Sequence, residues 1–238
     1  MMNKELIDKI IELIDIPNDF GVCEYDDFLR EEEDIYNVLK RNDINAEIRF
    51  GCTKLVIIPE ESDYVIKIPF NGMWYEVYNN ETDEYEDDEF IGFYKANDLG
   101  EDYVENWDYC ENELCKYERA VEDGFGKFFP DTQFYNWKHS YPIYIQKKIC
   151  KCCADMFRDD FKKVSDNTSK YYAEHSDDFY CLPENWALAA IEYYGAEMMR
   201  KFCEYIQEHH IHRDLHRANL GFDENNAPIV IDWAGYRD

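Results

Sequence analysis

The stretch HRDLHRAN, at residues 212–219, says most about the fold of this 238-residue chain. It places two polar side chains, Asp214 and Asn219, on one short segment. A long run with apolar residues at helical spacing leads into the stretch from Pro183, and the first turn of a helix accommodates proline without loss of a hydrogen bond. The runs LGF and PIVID follow it and are typical of two short strands flanking a turn. The pattern predicts a helix, a tight loop and a hairpin.

The loop resembles the H-R-D-x-x-x-x-N catalytic loop of protein kinases, and its Asp-Leu-His centre is also similar to the H-G-D-L-H-P-G-N loop of aminoglycoside and choline kinases. The resemblance implies that Asp214 orients the acceptor hydroxyl and that Asn219 holds a metal ion. IDWAG, at 231–235, stands where protein kinases have D-F-G, although Trp replaces Phe and an Ala precedes the Gly. Asp232 is therefore the implied metal-binding carboxylate. The alternative is that Asp214 only caps a turn.

Upstream, the run VIKI around Lys67 resembles the V-A-I-K strand of kinases, whose lysine binds the α- and β-phosphates of ATP. In that family a glutamate on the following helix pairs with the lysine. We take Glu113 as this residue, because the Asn-Glu-Leu sequence there resembles the corresponding helix of bacterial kinase-like proteins. Glu111 and Glu118, on the same predicted helix at 107–121, remain alternatives.

The resemblance also locates the rest of a nucleotide site. The run YPIYIQKKI is similar to the last strand before the kinase hinge, which implies that Ile145, Gln146 and Lys147 lie near the adenine. The phosphate-covering turn is the poorest match, because the segment with Gly51 and Thr53 has one glycine where the family commonly has three. Fewer glycines allow fewer close approaches of backbone to phosphate, so we expect weak nucleotide affinity or another covering element.

The order of predicted elements gives the architecture. From Ala46 the runs AEIRF, TKLVII and YVIKIPF are typical of a meander of antiparallel strands. The resemblance implies an α+β, protein-kinase-like two-lobed fold, with a helical extension at 1–43, an antiparallel-sheet N-lobe at 44–149 and a reduced helical C-lobe at 150–238. Only six residues follow Asp232, so we expect no activation segment and no platform for peptide substrates.

Charge restricts the partners of this chain. Its 53 acidic and 25 basic residues give a net charge of −28, which repels nucleic acid phosphates and anionic membrane surfaces. We therefore expect neither nucleic acid nor a membrane as a partner. The acidic excess is densest in the stretch 71–107, which includes ETDEYEDDE at 81–89. Such a run predicts a solvated loop, a helix face or a flexible insertion.

The cysteine pattern and the absence of targeting signals predict a cytoplasmic protein. The nine cysteines are scattered and odd in number, which favours reduced thiols over a disulfide framework. Cys150, Cys152 and Cys153 lie close together but lack a second pair of ligands, so we expect free thiols rather than a zinc site. The N-terminus has the spacing of an amphipathic helix rather than the apolar core of a signal peptide, and no run approaches the length of a membrane span.

These residues together predict an enzyme, a phosphotransferase that uses ATP with Mg²⁺ or Mn²⁺ and transfers to a hydroxyl on a small molecule or a protein. The alternative is a pseudokinase-like module that binds a nucleotide or a protein partner without catalysis, which the single-glycine turn favours. A third reading, an acidic mimic of nucleic acid, requires the negative charge to lie on one continuous face. The sequence identifies neither the acceptor nor the oligomeric state.

Overall fold

The computed structural model divides the chain into two compact, interleaved units. It describes residues 3–14, 35–50, 54–69, 71–79, 84–94, 109–138 and 141–233. The first unit comprises Met1–Glu111 and Gln133–Lys147, and the second comprises Asn112–Thr132 and Lys148–Asp238. The sequence-based division kept residues 112–132 with the sheet, whereas the structure groups them with the C-terminal part of the chain. The overall class is α+β, as the sequence predicts.

A five-stranded antiparallel sheet forms the first unit. Its strands lie in the order β1-β2-β3-β7-β6. Their bounds are β1 Ala46–Phe50, β2 Lys54–Pro59, β3 Tyr64–Pro69, β6 Thr132–Lys138 and β7 Tyr141–Lys147. The predicted meander of three strands is confirmed, and the strands predicted after Pro130 complete the sheet.

Pairing register places a row of isoleucines across four of these strands. Ile48 lies opposite Ile57, Ile57 opposite Ile66, and Ile66 opposite Ile145. All four are buried in one aliphatic cluster. Because successive side chains of a strand point to opposite faces, Lys67 points away from the face that carries this row.

Helix α1, Lys4–Leu13, contributes to the same aliphatic cluster. The side chain of Asn3 caps the helix by accepting a hydrogen bond from Leu6 N at 3.2 Å. At the other end, the ammonium group of Lys138 donates to the carbonyl oxygens of Ile11, Glu12 and Ile14. A cation is favoured there, since the last carbonyls of a helix lack partners within it. A second helix, α2, is described over 35–41.

The acidic stretch contains two strands, where the sequence predicted a solvated loop, a helix face or a flexible insertion. Strand β4, Asn71–Asn79, pairs with strand β5, Glu84–Tyr94, in an antiparallel two-stranded sheet, so residues 84–89 of the acidic run lie in a strand rather than a loop. The physical reason is the aromatic residues between the charges. Trp74 lies in register with Phe90, and Tyr78 with Tyr85. Such residues favour extended pleated backbone, which outweighs the preference of isolated acidic residues for turns.

The second unit is mainly helical, with a small three-stranded sheet. Its helices are α3 Tyr109–Glu122, whose first three residues belong to the first unit, α4 Asp166–His175, α5 Glu184–Tyr194 and α6 Ala196–Glu208. Its sheet has the order β10-β9-β8, with β8 Lys151–Cys152, β9 Leu220–Phe222 and β10 Pro228–Val230. The hairpin predicted after the HRDLHRAN stretch is confirmed as β9 and β10.

The prediction of one continuous helix from Pro183 to residue 210 is wrong. The chain turns at Gly195, whose φ of 86° and ψ of 149° suit glycine alone. Its N–H donates to Ile191 O at 2.9 Å and ends α5, and α6 begins at the next residue. The apolar spacing continues across the break, so periodicity by itself did not reveal it.

Within the described ranges, none of the helices combines the length and the apolar character needed to cross a bilayer.

Candidate functional site

The HRDLHRAN loop lies against the core of the second unit. After α6 the chain reverses at His210, which has a φ of 55°, and Ile211–Asp214 form a 3-10 turn. Ile211 and Leu215 are buried in the aromatic cluster of this unit and anchor the loop from beneath. Nδ1 of His212 lies 3.2 Å from Ile206 O, which ties the turn back to α6. The backbone of Asp214 is thereby placed at the end of the turn, while its side chain lies outside the described part of the structure.

A main-chain hydrogen bond joins Asn219 to the residue before Asp232. Asn219 ends the second 3-10 turn of the loop, and its side chain is buried. Its carbonyl oxygen accepts a hydrogen bond from Ile231 N at 2.8 Å. Ile231 immediately precedes Asp232, which is half-buried. The arrangement thus brings the end of the loop beside the segment that follows β10 and carries Asp232.

Close packing around Gly221 holds this hairpin in place. Gly221 follows Asn219 by two residues and lies opposite Ile229 in β10 and Cys152 in β8. A Cβ at this position would collide with the carbonyl oxygen of Lys151. The glycine therefore permits the close approach of β8 that completes the small sheet.

Arg217 ties the loop to the segment after β8, a role that the sequence analysis did not assign. Its guanidinium donates to Cys153 O through Nε at 3.1 Å and Nη2 at 2.7 Å, and Nη2 also donates to Met156 O. The thiol of Cys152 lies 3.5 Å from Ala218 O. The sequence shows an arginine between Asp214 and Asn219, which could have suggested a structural role. Its hydrogen-bond acceptors could not be predicted, because they are backbone carbonyl groups, which every residue has.

The tryptophan that replaces the kinase phenylalanine has a structural partner. Trp233 is fully buried and stacks edge-on with Phe129, with ring centroids 4.9 Å apart. Its indole N–H donates to Glu113 O on α3 at 2.9 Å, and Lys116 Nζ lies 3.5 Å from Trp233 O. A phenylalanine has no such donor. The segment that carries Asp232 is therefore fixed to α3 by two hydrogen bonds, of which the indole bond could not form with phenylalanine at this position.

Burial separates the three candidate glutamates on α3. The side chain of Glu113 is fully buried, whereas Glu111 and Glu118 are exposed. A buried carboxylate is stable only with polar partners or a counter-charge. Glu113 is therefore the glutamate of this helix that is held in one defined environment.

In the first unit, Lys67 lies in β3 between Val56 of β2 and Tyr144 of β7, and it is 4% exposed. Lys54 is buried to the same extent and lies two positions from Val56, on the same face of the sheet. Two buried ammonium groups are unusual, because lysine is almost never fully buried unless paired. The face opposite the isoleucine row therefore carries buried polar side chains among apolar ones.

The predicted adenine-contacting residues differ in their surroundings. Ile145 belongs to the isoleucine row, so its side chain is part of the aliphatic core. Gln146 is 1% exposed and lies opposite Val65, and Lys147 is half-buried opposite Tyr64. The side chain of Ile145 is therefore occupied with core packing and is not accessible to a ligand. Gly51 and Thr53 lie outside the described residues.

The cysteines near the loop are poor metal ligands in this arrangement. Burial, with a smaller contribution from the neighbouring Cys152, raises the pKa of the Cys153 thiol to about 12. The thiolate that binds a metal is disfavoured accordingly. Across the part of the chain that the structure describes, no three or more His, Cys, Asp or Glu side chains are grouped so as to hold a metal ion.

Comparison with known proteins gives no relative from which a function could be transferred. No model of a protein family matches the chain, and no curated protein matches it significantly. A functional proposal must therefore be based on the residues of the candidate site themselves. In the second unit, the structure brings together Asn219, the segment of Asp232 and the helix of Glu113. In the first unit, it places Lys67 and Gln146 as buried polar residues of one sheet.

Proposed function

We propose that this chain is an ATP- and Mg²⁺-dependent phosphotransferase with a protein-kinase-like fold. One observation carries the proposal, the 2.8 Å hydrogen bond from Ile231 N to Asn219 O that brings the Asn219 loop beside Asp232. The helix, loop and hairpin order around it is the context that this catalytic loop requires. An antiparallel sheet with a buried lysine in its third strand and a mainly helical second unit support the finer fold.

The donor set suits a hard divalent cation. Asn219 and Asp232 offer an amide oxygen and a carboxylate, which are ligands that Mg²⁺ and Mn²⁺ accept, and Mg²⁺ is commonly held by one or two carboxylates together with substrate phosphates. A bound cation would supply neutralisation of charge on the phosphates. The protein's part is to hold Asn219 and Asp232 at fixed positions, which the hydrogen-bonded hairpin and the anchored Trp233 support.

The buried charges fit the remaining roles. Lys67 would bind the α- and β-phosphates, and its burial would strengthen that interaction because the local dielectric is low. The resemblance assigns the role of the kinase helix glutamate to Glu113, which is the buried one of the three candidates. Asp214 would orient the acceptor hydroxyl from the end of its turn. Catalysis would then consist of positioning and electrostatic stabilisation.

The test is to measure Mg–ATP binding by calorimetry and phosphoryl transfer with labelled ATP against peptide and metabolite panels. Asp232→Asn should weaken Mg–ATP binding at least tenfold, about 1.4 kcal/mol. Asp214→Asn should leave binding within about twofold and reduce transfer by about 10²-fold or more. Asp159→Asn, at an exposed carboxylate of a 3-10 turn, removes the same charge as a control.

Equal Mg–ATP affinity in the wild type, Asp232→Asn and Asp159→Asn would contradict the nucleotide site. A second candidate function is a pseudokinase-like module, which the single glycine at Gly51 favours because few backbone N–H groups could approach the phosphates. Binding of Mg–ATP without transfer to any member of either panel would support that module.

A further inference from the structure

A cavity lies in the second unit, and none of the residues that line it is proposed for catalysis. Its volume is about 540 Å³, within the range of about 300–1,000 Å³ typical of small-molecule sites. The segment from β8 to residue 164, one side of α5 and the turn between β9 and β10 line it. The residues that matter below are Lys151, Lys162, Lys163, Ala189, Phe222 and Asn225.

The residues that line this cavity have a positive net charge, whereas the whole chain has a negative one. Three lysines line it, against the two carboxylates of Asp160 and Glu192. The chain has a net charge of −28, so a random selection of its residues would contain more carboxylates than cations. The residues around this cavity show the reverse. It creates a local potential that favours an anion.

Both carboxylates are already engaged with donors of the protein. Glu192 Oε2 accepts hydrogen bonds from Ser165 Oγ at 2.8 Å, from Ser165 N at 3.3 Å and from Thr168 Oγ1. These bonds, with the Thr168 hydroxyl foremost, hold the pKa of Glu192 below its usual range. Asp160 Oδ2 accepts from Phe157 N at 2.7 Å. Their oxygens are therefore partly satisfied before any lysine is considered.

The three lysines, by contrast, retain their hydrogen-bonding capacity. In the part of the chain that the structure describes, the side chains of Lys151, Lys162 and Lys163 form no hydrogen bond and no salt bridge within 4.0 Å, although the charge of Lys162 contributes to the lowered pKa of Glu192. All three lysines are exposed and line the cavity. Each ammonium carries three donors that an incoming anion could accept.

The inner wall of the cavity is apolar. Phe222 and Met156 are 7% and 8% exposed, and Val164 and Ala189 are half-buried. The exposed amides of Asn225 and Asn226 lie at the rim. An apolar wall with a few convergent polar groups is the usual construction of a small-ligand site.

We propose that this cavity binds a small phosphate monoester whose organic part is apolar or aromatic. Three ammonium groups suit a dianionic phosphate better than a singly charged carboxylate, since lysine acts as a compact point charge. The apolar wall would bury the organic part. The site does not depend on the proposed phosphotransferase activity, because none of its lining residues has a role there.

The experiment is a calorimetric titration of the full chain with phenyl phosphate, without nucleotide or divalent metal. We expect saturable binding with a dissociation constant of about 0.1–1 mM. The triple variant Lys151→Gln, Lys162→Gln and Lys163→Gln should weaken it at least tenfold. The matched triple Lys4→Gln, Lys170→Gln and Lys201→Gln, at exposed lysines elsewhere, changes the net charge equally and should retain affinity within about twofold.

Three further titrations separate this cavity from other sites that could bind phenyl phosphate. Ala189→Leu fills the apolar wall without changing charge and should weaken phenyl phosphate at least fivefold while leaving circular dichroism unchanged. Benzoate should bind at least threefold more weakly than phenyl phosphate. Lys67→Gln should not alter affinity for phenyl phosphate. Equal affinity of the wild type and the cavity triple, loss of binding in Lys67→Gln instead, or no saturation below about 10 mM would each overturn the proposal.

Discussion

The apolar core of the first unit consists of isoleucine and leucine, whereas that of the second unit is rich in phenylalanine, tyrosine and tryptophan. The first core covers a flat sheet face with β-branched side chains, which suit pleated surfaces. The second fills the space between helices of different lengths with large rings, such as Phe128 and Phe202, whose centroids are 4.0 Å apart. The comparison teaches that each unit uses the residue shapes that its backbone geometry accommodates.

The two units also differ in the charge that they bury. The first buries the cations Lys54 and Lys67, and the second buries Glu113 together with the amide of Asn219. An apolar core is stable without buried charged or amide side chains. Burying a charge costs free energy unless polar partners or an opposite charge compensate for it. These buried polar side chains include Lys67, Glu113 and Asn219, to which the proposed function assigns roles. The experiments below test whether the two cores and the two sets of buried charges behave as this contrast implies.

The largest effect should come from the aromatic core. Phe202→Ala removes a fully buried ring and should lower the free energy of unfolding by about 3–5 kcal/mol. Denaturant unfolding followed by near-ultraviolet circular dichroism measures this loss. Phe157→Ala, at a ring that is 80% exposed, should change stability by less than about 0.5 kcal/mol. A cost below about 1 kcal/mol for Phe202→Ala would show that the aromatic cluster is not the stabilising core of its unit.

The next effect concerns the buried cations of the first unit. Lys67→Met keeps the length of the side chain but removes the charge, and it should weaken Mg–ATP binding about thirtyfold, about 2 kcal/mol, since charged hydrogen bonds to phosphate are lost. Lys54→Met is the matched variant, because Lys54 is equally buried in the same sheet. Calorimetry should give nearly unchanged affinity for it. An equal loss in both variants would show that any buried cation on this face, rather than the VIKI position, accounts for binding.

A smaller effect should follow at the tryptophan of the second unit. Trp233→Phe retains the ring but removes the hydrogen bond to Glu113 O, and it should cost about 1 kcal/mol of stability. It should also weaken Mg–ATP binding a few-fold, because Asp232 is then held less firmly. Trp137→Phe, at a ring that is 59% exposed, should leave both quantities unchanged. Identical behaviour of the two variants in thermal unfolding and calorimetry would argue against an anchoring role for the indole.

The smallest effect is a difference in thiol reactivity within the second unit. A hydrogen bond from Cys203 lowers the pKa of Cys181 to about 7, and the same interaction, with burial, raises the pKa of Cys203. Cys181 should therefore react with iodoacetamide at a rate that is half-maximal near pH 7 and falls as acid protonates the thiolate, while Cys203 stays unmodified. Mass spectrometry between pH 5.5 and 9 measures this profile. In Cys203→Ala the midpoint should move upward, and a midpoint that does not move would exclude Cys203 as the cause.

The sequence predicted the regular parts of the structure well for a local reason. β-Branched runs such as TKLVII form strands because their preference is set by residues close in sequence, and the turn after β9 has its Asn and Pro signals in place. Local sequence patterns gave a wrong prediction for the acidic hairpin, because the density of acidic residues was given more weight than the aromatic residues of β4 and β5. They failed again at Gly195, where helical spacing runs through a break that only the backbone angles reveal.

Residue types and the resemblance to kinases identified the candidate site residues. They did not identify the contacts that hold these residues in place. Asn219 and Asp232 could be named from the loop and the following strand, but the bond between Asn219 O and Ile231 N depends on how the hairpin folds. The contacts of Arg217 with two backbone carbonyls, and the lysine-lined cavity, arise where segments distant in sequence meet. Such groupings leave no periodicity or spacing in the sequence.

The isoleucine row has a consequence for how β3 tolerates change over evolution. In a strand, a shift of pairing by one residue exchanges the two faces. A slip or a single-residue insertion in β3 would turn the ammonium of Lys67 towards the aliphatic cluster and move Ile66 to the opposite face of the sheet. Exchange of Ile66 for valine would cost only about 0.5–1.5 kcal/mol, whereas an insertion would bury an uncompensated charge. The strand is thus permissive to substitution by similar residues and intolerant of changes in length, so the position of Lys67 is protected by its apolar neighbours.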